Sequence, residues 1–354
     1  MPPHSICLFQ RRNLRQRCRD GIPNNYRYRL IAISVGATLL LSLLQNRLAG
    51  YADLLNTPAG MAGALLLPEL LILIPMLVWA LRTPAPVQEM FGFHLVHVRT
   101  LLLSLLLLLV SFPVVMVLNL FSQLWTGNVV EELSGQLVSL PAWESLLLIG
   151  IAGPCMEELV FRGYLFRSLR SSGRTAAAVI LSGVLFGLMH LNFNQACYAV
   201  FLGIVLAAAV EMSGSIVTSL VMHMVFNSVE VGLMYALPSA ADFSDPALEG
   251  GMTIDEYRNI LRSIPGVTIQ GIMAAAAVLL VFLIVLCLIL AVLILNTMAR
   301  IEGRPEMMNV RRNRVYGCMD AAQGETRRGK LLSFWMILGI LLAAVFIALT
   351  DFIL

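Results

Sequence analysis

Three groups of polar residues lie within apolar stretches in the middle of the chain, and each group has the spacing of one helix face. The groups are Glu157-Glu158 with Arg162, Phe186 with His190, and His223 with Asn227. Residues four positions apart lie on the same face of a helix, so the paired members of each group should lie together. Ionisable side chains inside apolar helices are costly to place in lipid, which makes these residues candidates for a functional site.

The first group predicts two carboxylates with different environments. Glu158 and Arg162 are four residues apart and can form an ion pair that supports the site. Glu157 is rotated by about 100° from Glu158 around the helix axis, so its carboxyl faces a different surface. One paired and one unpaired carboxyl in a low dielectric differ in proton affinity, as acid–base catalysis requires. The alternative is that the three residues only mark a helix end at the membrane interface.

Together the groups have the chemistry needed to hydrolyse a peptide bond with water. A carboxylate beside a histidine can take a proton from water and pass it to a leaving amine, a role that we assign to Glu157 and His190. Attack of that water on a carbonyl builds an oxyanion. His223 and Asn227, two donors on one helix face, would stabilise that charge.

Helix geometry predicts that the three groups lie at a similar depth if residues 171–173 form a turn. At 1.5 Å per residue, Glu157 lies about 21 Å before this turn and His190 about 25 Å after it. His223 and Asn227 lie about 14 and 20 Å into a span that starts on the same side. This coincidence favours a shared site, although a single intramembrane histidine is more often a contact between helices.

The composition indicates that these elements are membrane helices. Of the 354 residues, 58% are hydrophobic and only 13% are charged, whereas about a quarter of a soluble domain is charged. Lipid excludes irregular exposed backbone, so apolar segments that span it should be helical. We therefore expect an all-α, polytopic membrane helical bundle of about nine transmembrane helices. The candidate spans are 30–49, 61–81, 100–121, 141–161, 175–191, 196–212, 214–236, 267–297 and 331–353.

The distribution of basic residues predicts the orientation. With the N-terminus in the cytoplasm, 21 of the 24 Lys and Arg fall on the cytoplasmic side, whereas the outer loop 237–266 is acidic. This is the positive-inside pattern of multi-pass proteins. We interpret the basic segment 11–29 as a topology signal rather than a lipid-headgroup or nucleic-acid site. The span that follows it is predicted to be an uncleaved anchor.

We divide the chain into three regions. Residues 1–140 hold the basic N-terminus and three accessory transmembrane helices, and residues 141–237 form a core of four helices that carries the motifs. Residues 238–354 comprise the acidic outer loop, two more transmembrane helices and a basic cytoplasmic loop.

The motifs resemble those of the CAAX-protease and bacteriocin-processing family, which includes the Ras-converting type of prenyl-protein endopeptidase. The family pattern is E-E-x-x-x-R, F-x-x-x-H and H-x-x-x-N on successive helices, and it occurs here in that order within about 141–237. The resemblance implies a glutamate-dependent intramembrane endopeptidase without a cofactor, in which Phe186 also supports the site. It further implies a peptide, lipidated or membrane-protein substrate. We expect a multi-pass protein of a bacterial inner (plasma) membrane.

Three other interpretations stay open. Glu157, His190 and His223 could instead bind zinc as the cofactor of a metalloprotease, although no H-E-x-x-H motif is present. A non-catalytic immunity or scaffold protein would bind a peptide in the same fold. A transporter would use Glu69 and Glu230, which we interpret rather as contacts between helices or with the interface. A transporter would also involve Glu211, which lies at a cytoplasmic turn. His94 and His97 form a nominal pair in a loop, where we expect them to be solvated.

Overall fold

A computed structural model describes residues 57–81, 88, 91–127, 137, 140–170, 173–236, 269–304 and 333–352. Eight helices and no strand are present in this part of the chain, which confirms the all-α prediction. Helix α3 is a continuous helical run over 142–170. The other helices are α1 (Pro58–Leu81), α2 (Val98–Ser122), α4 (Thr175–Leu188), α5 (Phe193–Ser213), α6 (Ile216–Ala236), α7 (Ile269–Ile301) and α8 (Phe334–Phe352).

Five segments are long and apolar enough to cross a membrane. They are Ala59–Val78, Val98–Ser122, Phe193–Ser213, Ile216–Ala236 and Ala276–Ile301, and two shorter apolar helices are Thr175–Leu188 and Met336–Phe352. The predicted span 30–49 lies outside the described residues, whereas each of the other eight predicted spans overlaps one helix. The chain is therefore a multi-pass membrane protein. The count of nine spans, the orientation and the three-region division stay predictions.

Helix α5 forms the centre of the bundle. In its most apolar 18-residue window 78% of the residues are buried, compared with 17% in α7. Antiparallel α4 packs against α5 through glycines. A Cβ added at Gly183 would lie 2.8 Å from the Val200 carbonyl oxygen, and one added at Gly203 would lie 2.9 Å from Gly183 Cα. Small residues allow this close backbone approach in membranes. The approach brings Phe186 of α4 against the backbone of α5 at Gly203.

Helix α3 alternates between α-helical and wider π-helical turns. Its α-helical parts are Ala142–Ser145, Gly153–Glu158 and Arg167–Arg170, and its π-helical parts are Leu146–Ala152 and Leu159–Phe166. The sequence predicted the run but not these wide turns, which recur at functional sites. Pro154 lacks an N–H, so the preceding turn loses a backbone donor. The neighbouring helix compensates: Asn227 donates to the Ile149 carbonyl at 3.1 Å, and Ser228 donates to the Gly150 carbonyl at 3.5 Å.

A polar cluster joins α2 and α7 outside the apolar core. Glu302 Oε1 accepts hydrogen bonds from the His97 backbone N–H at 2.9 Å and from Thr100 Oγ1 at 2.5 Å. Desolvation alone would raise the pKa of Glu302, but these hydrogen bonds outweigh it and lower the pKa below its ordinary value. His97 is therefore tied to an acid 205 residues further along the chain. His94 is bonded through its backbone to the Ser215 hydroxyl.

Candidate active site

Glu158 is held tightly inside the bundle. Arg162 Nη1 donates to Glu158 Oε1 at 2.6 Å, and both side chains are fully buried. Arg162 Nη2 donates to the Gly203 carbonyl of α5 at 3.2 Å, and the guanidinium lies 4.4 Å from the centre of the Phe186 ring. Because the charges are excluded from solvent, removal of either partner would leave the other charge uncompensated. This pair therefore joins α3, α4 and α5.

His223 lies between the two adjacent glutamates. Its Nδ1 is 3.0 Å from Glu158 Oε1, and its Nε2 is 3.5 Å from Glu157 Oε2. A carboxylate only accepts hydrogen bonds, so Nδ1 carries the proton in the bond to Glu158. Such a contact orients an imidazole so that its other nitrogen faces the reacting groups. Ser219, one helical turn before His223, adds a hydroxyl beside Glu158 that we did not predict.

Glu157 has a different environment from Glu158. Its side chain is 17% exposed, and its Oε2 is buried without an N–H or O–H donor. A carboxylate oxygen in this position is unfavourable for folding, because desolvation is not offset by a hydrogen bond. The same lack of a donor leaves the lone pairs of this oxygen available to a water molecule. The two glutamates thus face the two environments that their rotation around α3 predicts.

His190 lies in the turn that follows α4. Its Nδ1 is 3.0 Å from the Phe186 carbonyl oxygen, and Asn192 Nδ2 donates to the His190 carbonyl at 3.0 Å. Since a carbonyl oxygen only accepts, Nδ1 carries the proton and Nε2 keeps its basic lone pair. The His190 and His223 rings contact the Phe186 ring edge-on, with centroids 5.0 and 5.5 Å away. Among the described contacts, no hydrogen bond joins His190 directly to Glu157.

Asn227 lies one helical turn beyond His223 on α6. Its Nδ2 donates one hydrogen bond to the Ile149 carbonyl in the first wide turn of α3. A primary amide has two N–H donors, so one more is available to a substrate. The bond fixes the amide against the helix that carries Glu157. It therefore keeps the amide beside the first wide turn of α3.

The remaining acidic residues that we predicted have separate positions. Glu211 forms an ion pair with Arg170 at 2.9 Å near the end of α5, and its backbone carbonyl accepts from Arg304 Nε. Glu230 interacts electrostatically with His223. Glu69 on α1 brings its carboxyl within hydrogen-bonding reach of Glu157. Glu69 is an acid within an apolar span, and nothing local in the sequence identifies its partner.

The zinc alternative requires three ligands around one point. In the part of the chain that the structure describes, no group of three or more His, Cys, Asp or Glu side chains is arranged to hold a metal ion. Glu157 Oε2 and His223 Nε2 lie 3.5 Å apart, whereas His190 Nδ1 is bonded to the Phe186 backbone carbonyl.

Comparison with known families supports an intramembrane endopeptidase activity. A family model described as "Type II CAAX prenyl endopeptidase Rce1-like" matches residues 139–229. This match confirms the resemblance predicted from the three motifs, all of which lie inside it. Comparison with curated proteins and with solved structures gives no significant match. The matched region covers the wide turns of α3 and helices α4 and α5, and it ends within α6.

Proposed function

We propose that the chain is an intramembrane endopeptidase of the glutamate type. Its substrate is a protein or peptide, cleaved near the C-terminus or in a membrane-proximal part. The observation that carries this proposal is the contrast between Glu158 and Glu157. Glu158 is fully buried and ion-paired with Arg162, whereas the Glu157 side chain is 17% exposed and its Oε2 faces His223 Nε2 at 3.5 Å. A partly exposed carboxylate beside an oriented imidazole is suited to general base catalysis.

In the proposed mechanism, Glu157 and His190 activate water. The water binds to Glu157 Oε2 and loses its proton as it attacks the scissile carbonyl. His190 Nε2, which keeps its lone pair, is the second acceptor on that side. In this step His223 donates from Nε2, since its Nδ1–H is bound to Glu158, and Asn227 donates its second N–H. These two donors stabilise the oxyanion, because donors placed in advance gain strength in a site that excludes water. The Glu158–Arg162 pair and Phe186 hold the two histidines in place.

A cleavage assay tests this proposal. The full chain is purified into lipid nanodiscs and incubated with three internally quenched probes: a farnesylated peptide with a CAAX end, the same peptide without the lipid, and a transmembrane-helix peptide. Products are identified by mass spectrometry. The key variant is Glu157→Gln, and the matched control is Glu144→Gln, the same change in the first turn of α3.

The expected result is cleavage that resists a strong chelator, is lost in Glu157→Gln and is kept in Glu144→Gln. Cleavage that is abolished by the chelator and restored by zinc would replace the proposal with a zinc-dependent metalloprotease. Absence of cleavage of all three probes would favour a non-catalytic peptide-binding protein. The proposed location is a bacterial inner (plasma) membrane with the N-terminus inside, which labelling of cysteines introduced into the loops would test.

A further inference from the structure

Glu69 is an acidic residue that the matched family region does not contain. It lies directly after Pro68 in the apolar segment Ala59–Val78 of α1, about seventy residues before the region matched at 139–229. Lipid makes it costly in free energy to place an ionisable group inside a membrane helix unless the group has a partner. Such a residue is therefore a candidate functional residue.

The partner of Glu69 is the candidate base itself. Helix α1 packs against the part of α3 that carries Glu157, and the two carboxyl groups lie within hydrogen-bonding reach. Glu157 is the charged group that acts on Glu69. Arg162 is bound instead to Glu158. Glu230 of α6, another acid near this site, interacts with His223.

Two carboxyl groups in this arrangement require a proton. Carboxylates only accept hydrogen bonds, so two ionised groups would repel each other without forming a bond. A single proton between them replaces the repulsion with a hydrogen bond, as in carboxyl pairs that share one proton in aspartic proteases. A membrane interior strengthens this preference, because each additional charge there adds a large desolvation penalty.

We propose that Glu69 is a positioning residue of the active site, which shares one proton with Glu157 and holds that carboxylate toward the substrate water. This inference rests on the proposed peptidase function. In the resting state the pair carries one negative charge and one proton. Glu69 donates the hydrogen bond, and Glu157 keeps the lone pairs that face His223 Nε2.

The pair stores protons through the reaction. As the water oxygen bonds to the carbonyl carbon, its proton moves to Glu157, so the pair holds two protons and the substrate carries the oxyanion. As the C–N bond breaks, the carbonyl reforms and the amine nitrogen takes the bonding electrons and one proton from the pair. The pair returns to one proton, and the new carboxylic acid releases its own proton to solvent.

An infrared measurement tests the shared proton without any substrate. The full chain in lipid nanodiscs is compared with Glu69→Gln and with the control Glu144→Gln at neutral pH. We expect the carbonyl stretch of a protonated carboxyl in the difference between wild type and Glu69→Gln, and no such band for the control. Identical spectra for wild type and Glu69→Gln would overturn the proposal. If Glu69→Gln does not fold, Glu69→Asp replaces it, and a band that stays at the wild-type frequency would overturn the proposal.

The cleavage assay then tests the role in catalysis. Gln can still donate a hydrogen bond to Glu157 but cannot share a proton, so we expect Glu69→Gln to lower kcat by roughly 10²-fold with KM unchanged. A wild-type kcat in a folded Glu69→Gln variant would show that Glu69 is only a structural contact. If the wild-type chain cleaves no probe, the peptidase proposal fails, whereas the infrared result still decides whether the proton is shared.

Discussion

Two sides of one site differ in how their carboxyl groups are satisfied. The paired side consists of Glu158, Arg162 and His223 Nδ1, where Glu158 Oε1 binds both the guanidinium and the imidazole. The open side consists of Glu157, Glu69 and His223 Nε2, where the Glu157 carboxyl meets another acid and lies 3.5 Å from the imidazole. Adjacent residues in the chain thus have opposite environments, because helix geometry rotates them onto different faces.

Glu158 supports the structure, whereas Glu157 is available for chemistry. A buried charge with a close partner stabilises a particular arrangement of helices, and removal of one partner destabilises it strongly. A buried carboxylate without an arginine or lysine partner reduces stability and can be retained because it serves a reaction. We therefore expect substitutions on the paired side to change the free energy of unfolding, and substitutions on the open side to change the rate of cleavage.

The largest expected effect is on the paired side. Arg162→Met keeps much of the side-chain volume but leaves Glu158 buried without its cation, so the free energy of unfolding should fall by about 3–5 kcal/mol. Denaturation of the full chain in detergent micelles measures this change. The double variant Arg162→Met with Glu158→Leu should recover part of the loss, because no unpaired charge then remains. Equal stability of wild type and Arg162→Met would contradict the contrast between the two sides.

The next effect is on the open side. Glu157→Gln removes the proposed base, so the cleavage rate should fall by about 10²–10⁴-fold, the range of general acid–base catalysis. The free energy of unfolding should stay unchanged or rise, because a carboxylate that forms no ion pair with Arg or Lys among the described contacts is replaced by a neutral amide, whose carbonyl can still accept from Glu69. Rate and unfolding are measured on the same preparation beside Glu144→Gln. A large loss of stability in Glu157→Gln would place this residue on the paired side.

The variant Asn227→Ala tests whether the proposed oxyanion pocket belongs to the open side. Asn227→Ala removes the donor to the Ile149 carbonyl and the proposed oxyanion donor together. We expect kcat to fall about 10²-fold at unchanged KM, as for loss of one oxyanion donor, while stability falls by about 1 kcal/mol for the lost hydrogen bond. Ser228→Ala, which removes the adjacent bond to Gly150, is the matched control. A loss of stability alone would make Asn227 a structural contact.

The smallest effect concerns Glu302, outside the membrane core. Hydrogen bonds from Thr100 and His97 hold the pKa of Glu302 below its ordinary value, despite the opposing effect of desolvation. A carboxyl whose pKa is lower in the folded protein stabilises the fold at pH values above the ordinary pKa of glutamate. This contribution is lost as the pH falls through the lowered pKa. Thermal unfolding between neutral and acidic pH should therefore show a slightly steeper decline of Tm for wild type than for Glu302→Gln. The same pH dependence in both proteins would exclude this contribution.

Local spacing predicted the parts of the site that lie on one helix. The i, i+4 positions of Glu158 and Arg162 place them in contact, and the 100° rotation separates Glu157 from Glu158. Residue chemistry suggested the roles of His190, His223 and Asn227, the family motifs imply the same roles, and the family match at 139–229 covers these residues. These features follow from helical periodicity, which depends only on the spacing of residues in the local sequence.

The contacts between distant helices could not be predicted in the same way. The His97 side chain is exposed, as predicted, but its backbone N–H binds Glu302, and Glu69 reaches Glu157 across 88 positions of sequence. The wide turns of α3 also escaped prediction, because the compensating donors come from Asn227 and Ser228 on another helix. No local sequence pattern predicts which helix faces will be in contact.

By itself the sequence determined that the protein is a helical membrane bundle, with polar residues spaced on particular faces of three helices. Hydrophobic composition and helical periodicity are local properties, which explains why they can be read directly. The tertiary structure decided that Glu158 is paired while Glu157 is left open to His223 and Glu69. That outcome depends on how closely helices approach, here through Gly183 and Gly203, and such packing is a property of the whole bundle.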